Sequence, residues 1–133
     1  MVQPGSIPSI TVTAAYDRLA PDSAEVVAEG AGQRSLAMLV DVREPNEFVQ
    51  IRADGAVLLP ISTFMQRHLE IPRDRSILVI CQTGNRSRQV TAFLLANGWP
   101  DVANVTGGTL AWASAGLPVR RGPLELGEGD IPG

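Results

Sequence analysis

The sequence predicts an α/β fold built around a mostly parallel β-sheet. Short apolar runs alternate along the chain with segments of helical pattern, which is the order expected of strand–helix–strand units. The runs Leu36–Val42 and Ile77–Ile80 are apolar at nearly every position, as strands covered on both faces are. The chain has 133 residues, of which 44% are hydrophobic and 19% charged, so it can bury one core.

Five segments rich in β-branched or aliphatic residues predict strands. In chain order they are Ile10–Thr13, Leu36–Val42, Ala56–Leu59, Ile77–Ile80 and Val102–Val105. Because strands of this kind are joined by helices that cover the sheet, we expect the strands to run in the same direction. The sheet edge at their carboxyl ends is then the place to search for a ligand site.

The segments between these strands predict helices. They are Pro21–Glu29, Pro45–Gln50, Ile61–Leu69, Ser87–Asn97 and Leu110–Ala115. The first has a proline at its start and acids in its first turns, and Ser62 is a candidate cap of the third. The fourth is amphipathic and ends at Gly98.

The sequence predicts one domain with a loosely structured segment at each end. Residues 1–9 contain prolines and a glycine and predict a mobile lead-in. Residues 10–121 carry all the predicted elements without an internal repeat or linker. Residues 122–133 are rich in glycine, proline and acids and predict a loose C-terminal tail.

Composition excludes several classes of function. A net charge of −3 gives no basic face for nucleic acid. No apolar run approaches the ~20 residues that span a bilayer, and the N-terminus lacks a signal-peptide pattern, so we expect a cytoplasmic protein without a membrane partner. One cysteine and one histidine supply neither an internal disulfide nor a structural zinc site.

The single thiol, Cys81, follows the most apolar run and precedes a helix. The first N–H groups of a helix lack internal partners and carry partial positive charge. Gly84 and Asn85 tolerate the backbone conformations that turn further N–H groups toward one point. Arg86 and Arg88 add charge, and Arg86 is placed to hold an anion through two hydrogen bonds. We therefore predict a reactive thiolate rather than a buried core thiol.

Four motifs resemble those of the rhodanese-like family. They are Cys81-Gln82-Thr83-Gly84-Asn85-Arg86-Ser87, Leu39-Val40-Asp41-Val42-Arg43-Glu44 followed by Glu47-Phe48, Gly55-Ala56, and Gly107-Gly108-Thr109-Leu110-Ala111-Trp112 followed by Gly116-Leu117-Pro118. They occur in the family's order over residues 36–119. The resemblance implies a three-layer fold, with five parallel strands and helices on both faces.

The resemblance also implies sulfur transfer through a persulfide on Cys81, without a metal or organic cofactor. The donor would be a small sulfur-bearing anion such as thiosulfate, and the acceptor a thiol or cyanide; a protein donor or acceptor is an alternative. The residues expected to bind the substrate are Gln82, Thr83, Gly84, Asn85, Arg86 and Ser87. Asp41 and Arg43 are expected to support the site as an ion pair, with Glu44 or Glu47 as a further partner, because buried charges need partners; direct contact with the substrate is the alternative.

Two other functions on the same fold stay open. One is a sulfur relay or regulatory module with little turnover. The other is a phosphatase or arsenate reductase, but four residues separate Cys81 from Arg86, whereas the rhodanese-related phosphatases keep five. The family's usual Gly-His-Ile-Pro is replaced by Ile51-Arg52-Ala53-Asp54. Arg52 there is a candidate for anion contact or, as charges usually are, a solvated surface residue.

Overall fold

The computed structural model describes residues 7–19 and 37–132. The strands are β1 (Ser9–Ile10), β2 (Met38–Asp41), β3 (Arg52–Ala53), β4 (Val57–Leu58), β5 (Ile77–Ile80), β6 (Val102–Val105) and β7 (Val119–Arg120). The helices are α1 (Val12–Leu19), α2 (Pro45–Gln50), α3 (Phe64–Arg67), α4 (Asn85–Ala96) and α5 (Gly108–Ser114). Two 3₁₀ turns, Ile61–Thr63 and His68–Glu70, flank α3.

Five strands form a parallel sheet in the order β1-β6-β5-β2-β4, which confirms the predicted α/β fold. In the centre, Val40 of β2 lies opposite Val79 of β5 and Val57 of β4. Every residue of β2, β5 and β6 is buried. A small antiparallel pair, β3 with β7, lies outside this sheet.

Apolar side chains fill a layer on each face of the sheet. Alternate residues of a strand point to opposite faces, so Val79 joins one core cluster and Leu78 the other. The first cluster includes Val90 and Leu94 of α4, and the second includes Trp112 of α5. Helices therefore cover both faces, as predicted.

Two predicted elements need correction. The predicted strand Ile10–Thr13 is strand only through Ile10 and continues as α1, because the Thr11 hydroxyl accepts a hydrogen bond from the Ala14 N–H and caps the helix. The predicted helix Ile61–Leu69 is divided into α3 and its two flanking turns. The predicted helix Pro21–Glu29 lies outside the described residues.

Ser62 does not cap a helix. Its N–H and hydroxyl both donate to the carboxylate of Glu44, at 3.1 and 2.8 Å. Glu44 and Glu47 in turn form a capping box at the start of α2, with Pro45 as the first helical residue. The carboxylate of Glu44 thus connects α2 to the segment that follows β4.

The segment 122–132 is not loose. The Gly122 N–H donates to the Val49 carbonyl at 2.7 Å, and the Leu58 N–H of edge strand β4 donates to the Gly129 carbonyl at 2.7 Å. Ile131 packs against the core cluster that contains α4. Glycine and proline in this segment shape turns against the body of the domain, and the composition alone could not distinguish such turns from a mobile end.

Arg52 is buried, and both predictions for it are wrong. The residue is 2% exposed, and its guanidinium binds the Glu128 carboxylate through Nε at 2.6 Å and Nη2 at 3.1 Å. Nη1 donates to the carbonyls of Phe48 and Gly122. A buried guanidinium needs such partners. Arg52, which lies in the stretch that replaces the family's usual Gly-His-Ile-Pro, therefore holds the C-terminal segment 122–132 against the rest of the domain.

Candidate active site

The thiol lies where the central strand β5 ends and α4 begins. Cys81 is the first residue after β5, and Gly84 precedes α4 with a φ of +112°. This left-handed conformation favours glycine. It allows the chain to fold back over the end of β5, so that N–H groups of the loop and of the first turn of α4 face Cys81.

Three polar hydrogen-bonding groups surround the sulfur. The Gly84 N–H donates to Cys81 Sγ at 3.1 Å and the Ser87 N–H donates at 3.4 Å. The Ser87 hydroxyl lies 3.3 Å from the same sulfur. Cys81 is 1% exposed and its residue contributes to a core cluster, but its sulfur faces donors rather than hydrocarbon alone.

These donors favour the ionised thiol. Burial raises the pKa of Cys81, whereas the hydroxyl of Ser87 and the N–H groups of Ser87, Gly84 and Thr83 lower it. The hydrogen bonds outweigh burial, so the pKa of Cys81 lies below its ordinary value. The thiolate is the nucleophilic form of cysteine.

The other loop residues occupy different positions. Gln82, Thr83 and Asn85 are exposed at the rim, whereas Gly84 and Ser87 are buried beside the sulfur. The structure therefore brings Gly84 and Ser87 into hydrogen-bonding contact with the thiol. The side chains of Gln82, Thr83 and Asn85 remain available to a bound substrate.

The first turn of α5 forms hydrogen bonds with the main chain of the Cys81 loop. The N–H groups of Thr109 and Leu110 donate to the carbonyls of Cys81 and Gln82, at 2.8 and 3.2 Å. This contact requires Gly108, because a Cβ there would lie against the Cys81 carbonyl and 2.5 Å from that of Gln82. The Gly-Gly turn thus lies against the active loop.

Arg86 is bound within the protein. Its two terminal nitrogens each donate to one oxygen of Glu47, both at 3.0 Å. The predicted two-point contact is therefore made with a carboxylate of α2 rather than left free for a substrate. These hydrogen bonds lower the pKa of Glu47 to about 2. Because a folded-state pKa below the ordinary 4.5 favours folding, this stabilisation is present above pH 4.5 and is lost as the pH falls toward 2.

The predicted ion pair between Asp41 and Arg43 is present and almost fully buried. Arg43 donates to the Asp41 carboxylate through Nε and Nη2, and Nη2 also donates to the Ile51 carbonyl at 2.6 Å. Nη1 donates to the Glu47 carbonyl at 3.4 Å. The pair thereby fixes α2, which carries the partner of Arg86.

Two residues near the thiol were missed by sequence reasoning. Asn104 of β6 is 3% exposed and accepts a hydrogen bond from the Ser87 hydroxyl. The signal was a polar residue inside an otherwise apolar strand. Glu47 was considered only as a partner of Arg43, because nothing local connects it with Arg86, 39 residues away.

The family model of the rhodanese-like domain matches residues 23–115 of this sequence. The chain belongs to the rhodanese-like family. Its fold agrees with that of a rhodanese-related protein from Thermoplasma volcanium, with a TM-score of 0.66 and 26% identity, over 85% of this chain and 97% of the other.

Curated relatives of this rhodanese-like chain include enzymes of sulfur transfer. It is 38% identical to a sulfurtransferase of Allochromatium vinosum, over 71% of this chain and 92% of that protein. It is 33% identical to thiosulfate sulfurtransferase 16, chloroplastic, of Arabidopsis thaliana, over 90% of this chain and 99% of that protein. It spans 48% and 64% of the length of two further relatives, which are uncharacterized proteins of Synechocystis and Bacillus subtilis.

The described residues lack two features, a group of metal ligands and a membrane-spanning helix. Within residues 7–19 and 37–132, no three side chains of histidine, cysteine, aspartate or glutamate are grouped as metal ligands would be. In the same part of the chain, no helix has the length and apolar character needed to cross a bilayer.

The lowered pKa of Cys81 predicts fast alkylation at mildly acidic pH. We expect the iodoacetamide reaction rate of the folded rhodanese-like domain to reach half its maximum below pH ~8.5, the ordinary value for cysteine. The rate should be measured from pH 5 to 10, with the same chain unfolded in urea as the control, because unfolding removes the loop and keeps the thiol. A folded-state midpoint at or above that of the unfolded chain would contradict the prediction.

Proposed function

We propose that this chain is a sulfurtransferase that carries sulfur as a persulfide on Cys81. The observation that supports it most is the pair of main-chain N–H groups, from Gly84 and Ser87, directed at a single buried sulfur. Fixed dipoles of this kind stabilise an anion at a set position without reorganising during the reaction. The names of its curated relatives support the same class of reaction.

The proposed donor is a small anion with a transferable outer sulfur, such as thiosulfate. The Cys81 thiolate attacks the outer sulfur, a new sulfur–sulfur bond forms, and the donor's own sulfur–sulfur bond breaks. Its electron pair leaves with sulfite. A thiol or cyanide acceptor then attacks the outer sulfur of the persulfide and regenerates the Cys81 thiolate.

The position of Arg86 favours sulfur transfer over phosphate chemistry. Phosphate recognition commonly uses an arginine that offers two donors to the anion. Both terminal nitrogens of Arg86 are bound to Glu47 instead. The main-chain groups beside the sulfur remain as the anion-stabilising elements, and they suit a compact sulfur centre.

Mass spectrometry of the intact protein tests the proposal. After thiosulfate treatment we expect the wild-type chain to gain one sulfur, about 32 Da, and to lose it when cyanide is added, with thiocyanate produced. The control is Cys81→Ser, which should gain nothing. A wild-type chain that takes up no sulfur from thiosulfate or from a persulfide donor would refute the proposal. Sulfur uptake without thiocyanate turnover would assign the chain to sulfur relay.

A further inference from the structure

Asn104 is a buried polar residue inside an apolar strand. It is 3% exposed, and in β6 it lies in register with Val79 of β5. An amide at such a position is costly unless it is hydrogen-bonded. Its Oδ1 accepts a hydrogen bond from the Ser87 hydroxyl, and Ser87 is itself fully buried beside Cys81.

Ser87 has one hydroxyl proton and two neighbours that can accept it. When that proton is donated to Asn104, the Ser87 oxygen presents a lone pair to the sulfur 3.3 Å away. This arrangement suits a protonated thiol, which can donate to that oxygen. The Ser87 hydroxyl stabilises a thiolate only when it directs its proton at the sulfur instead, and it is in this second arrangement that it lowers the pKa of Cys81.

We propose that Asn104 is a positioning residue that acts through the hydroxyl proton of Ser87 to limit how strongly the loop stabilises the anionic sulfur. The inference rests on the proposed use of Cys81 as the nucleophile. With its carbonyl toward Ser87, Asn104 competes with the sulfur for that proton. With the amide turned over, its NH₂ group donates to the Ser87 oxygen and releases the proton to the sulfur. Asn104 therefore gives the loop two hydrogen-bonding arrangements, one for the thiol and one for the anion.

The charged groups near Cys81 are paired with one another. They are Asp41 at the end of β2, Arg43 two residues later, Glu47 of α2 and Arg86 of α4, whereas Arg88 of α4 is exposed. Neither β6 nor α5 contains a titratable residue. A neutral substitution of Asn104 leaves these pairs unchanged, so a change in the titration of Cys81 would report on the hydrogen bonds of Ser87.

The test is the pH profile of alkylation in Asn104→Leu, which keeps the approximate volume and removes the acceptor. The freed Ser87 proton should move the midpoint of the alkylation profile to lower pH by about one unit. At pH values below the midpoints of both the wild-type chain and the variant, the alkylation rate of the variant should then be about tenfold higher. Asn104→Asp keeps the acceptor, loses the donor and adds negative charge, so its midpoint should move to higher pH.

The Ser87→Ala background provides the control. If Asn104 acts through Ser87, Asn104→Leu should leave the midpoint of S87A unchanged. An unchanged midpoint in folded N104L, or an equal shift with and without Ser87, would overturn the inference. Circular dichroism verifies folding, and Asn104→Ala replaces N104L if that variant does not fold. Alkylation requires no sulfur donor, so failure of persulfide formation in the wild-type chain would refute the proposed function separately.

Discussion

Gly108→Ala is expected to destabilise the protein by about 2 to 5 kcal/mol and to displace the active loop. A left-handed conformation costs a side-chain-bearing residue about 1 to 2 kcal/mol, and a new methyl group in a closely packed site adds about 1 to 3. The φ of Gly108 is +61°, and the added Cβ would meet the main-chain carbonyls of Cys81 and Gln82. Main chain cannot move aside as a flexible side chain can. The free energy of unfolding in urea measures the first effect, and the alkylation rate of Cys81 measures the second.

Gly116→Ala is the matched control for that substitution. Gly116 has a φ of +76°, but nothing lies within 4 Å of the position its Cβ would take. We expect a loss of about 1 to 2 kcal/mol from backbone strain alone, and an unchanged alkylation rate. Equal losses in the two variants would show that the contact between the Gly-Gly turn and the active loop does not matter.

Arg43→Met is expected to cost about 3 to 5 kcal/mol at pH 7, because it leaves the buried Asp41 carboxylate without its charged partner. Asp41 and Arg43 are 0% and 3% exposed, so water cannot replace the lost contact. Burial raises the pKa of Asp41, and Arg43 opposes that rise. Without Arg43 the pKa should rise further, which penalises the folded state wherever the carboxylate is ionised. The loss of stability should therefore be smaller at pH 5 than at pH 7.

Arg67→Met provides the comparison. Arg67 and Glu70 form an ion pair three residues apart, with side chains 37% and 48% exposed. Exposed pairs of this kind contribute about 0.2 to 1 kcal/mol. Urea unfolding of both variants at pH 7 and pH 5 should give a large, pH-dependent loss only for R43M. A loss below about 1 kcal/mol for R43M would contradict the role assigned to the buried pair.

The position of the thiol could be predicted because it depends on local signals. An apolar strand, a short loop with Gly84 and an amphipathic helix together place Cys81 at a strand end and a helix start. Each signal lies within a few residues of the next. The parallel sheet was predictable for a similar reason, since its central strands β2 and β5 are apolar at nearly every position.

The partners of charged side chains were harder to predict. The sequence places Arg86 beside the thiol but does not show that Glu47 occupies its guanidinium. The same holds for Arg52 and Glu128, which are 76 residues apart. Such pairs depend on how helices and segments meet in three dimensions. Electrostatics favours any nearby carboxylate, so local sequence cannot select the partner.

The contact between Gly129 and β4 has a consequence for how this protein behaves in concentrated solution. The last strand on one side of an open sheet offers unsatisfied main-chain groups that can recruit a strand from a second molecule. Here the Leu58 N–H is already satisfied by the Gly129 carbonyl. The Arg52–Glu128 pair holds that covering segment in place, and it therefore hinders the addition of a second molecule's strand at the β4 edge of the sheet.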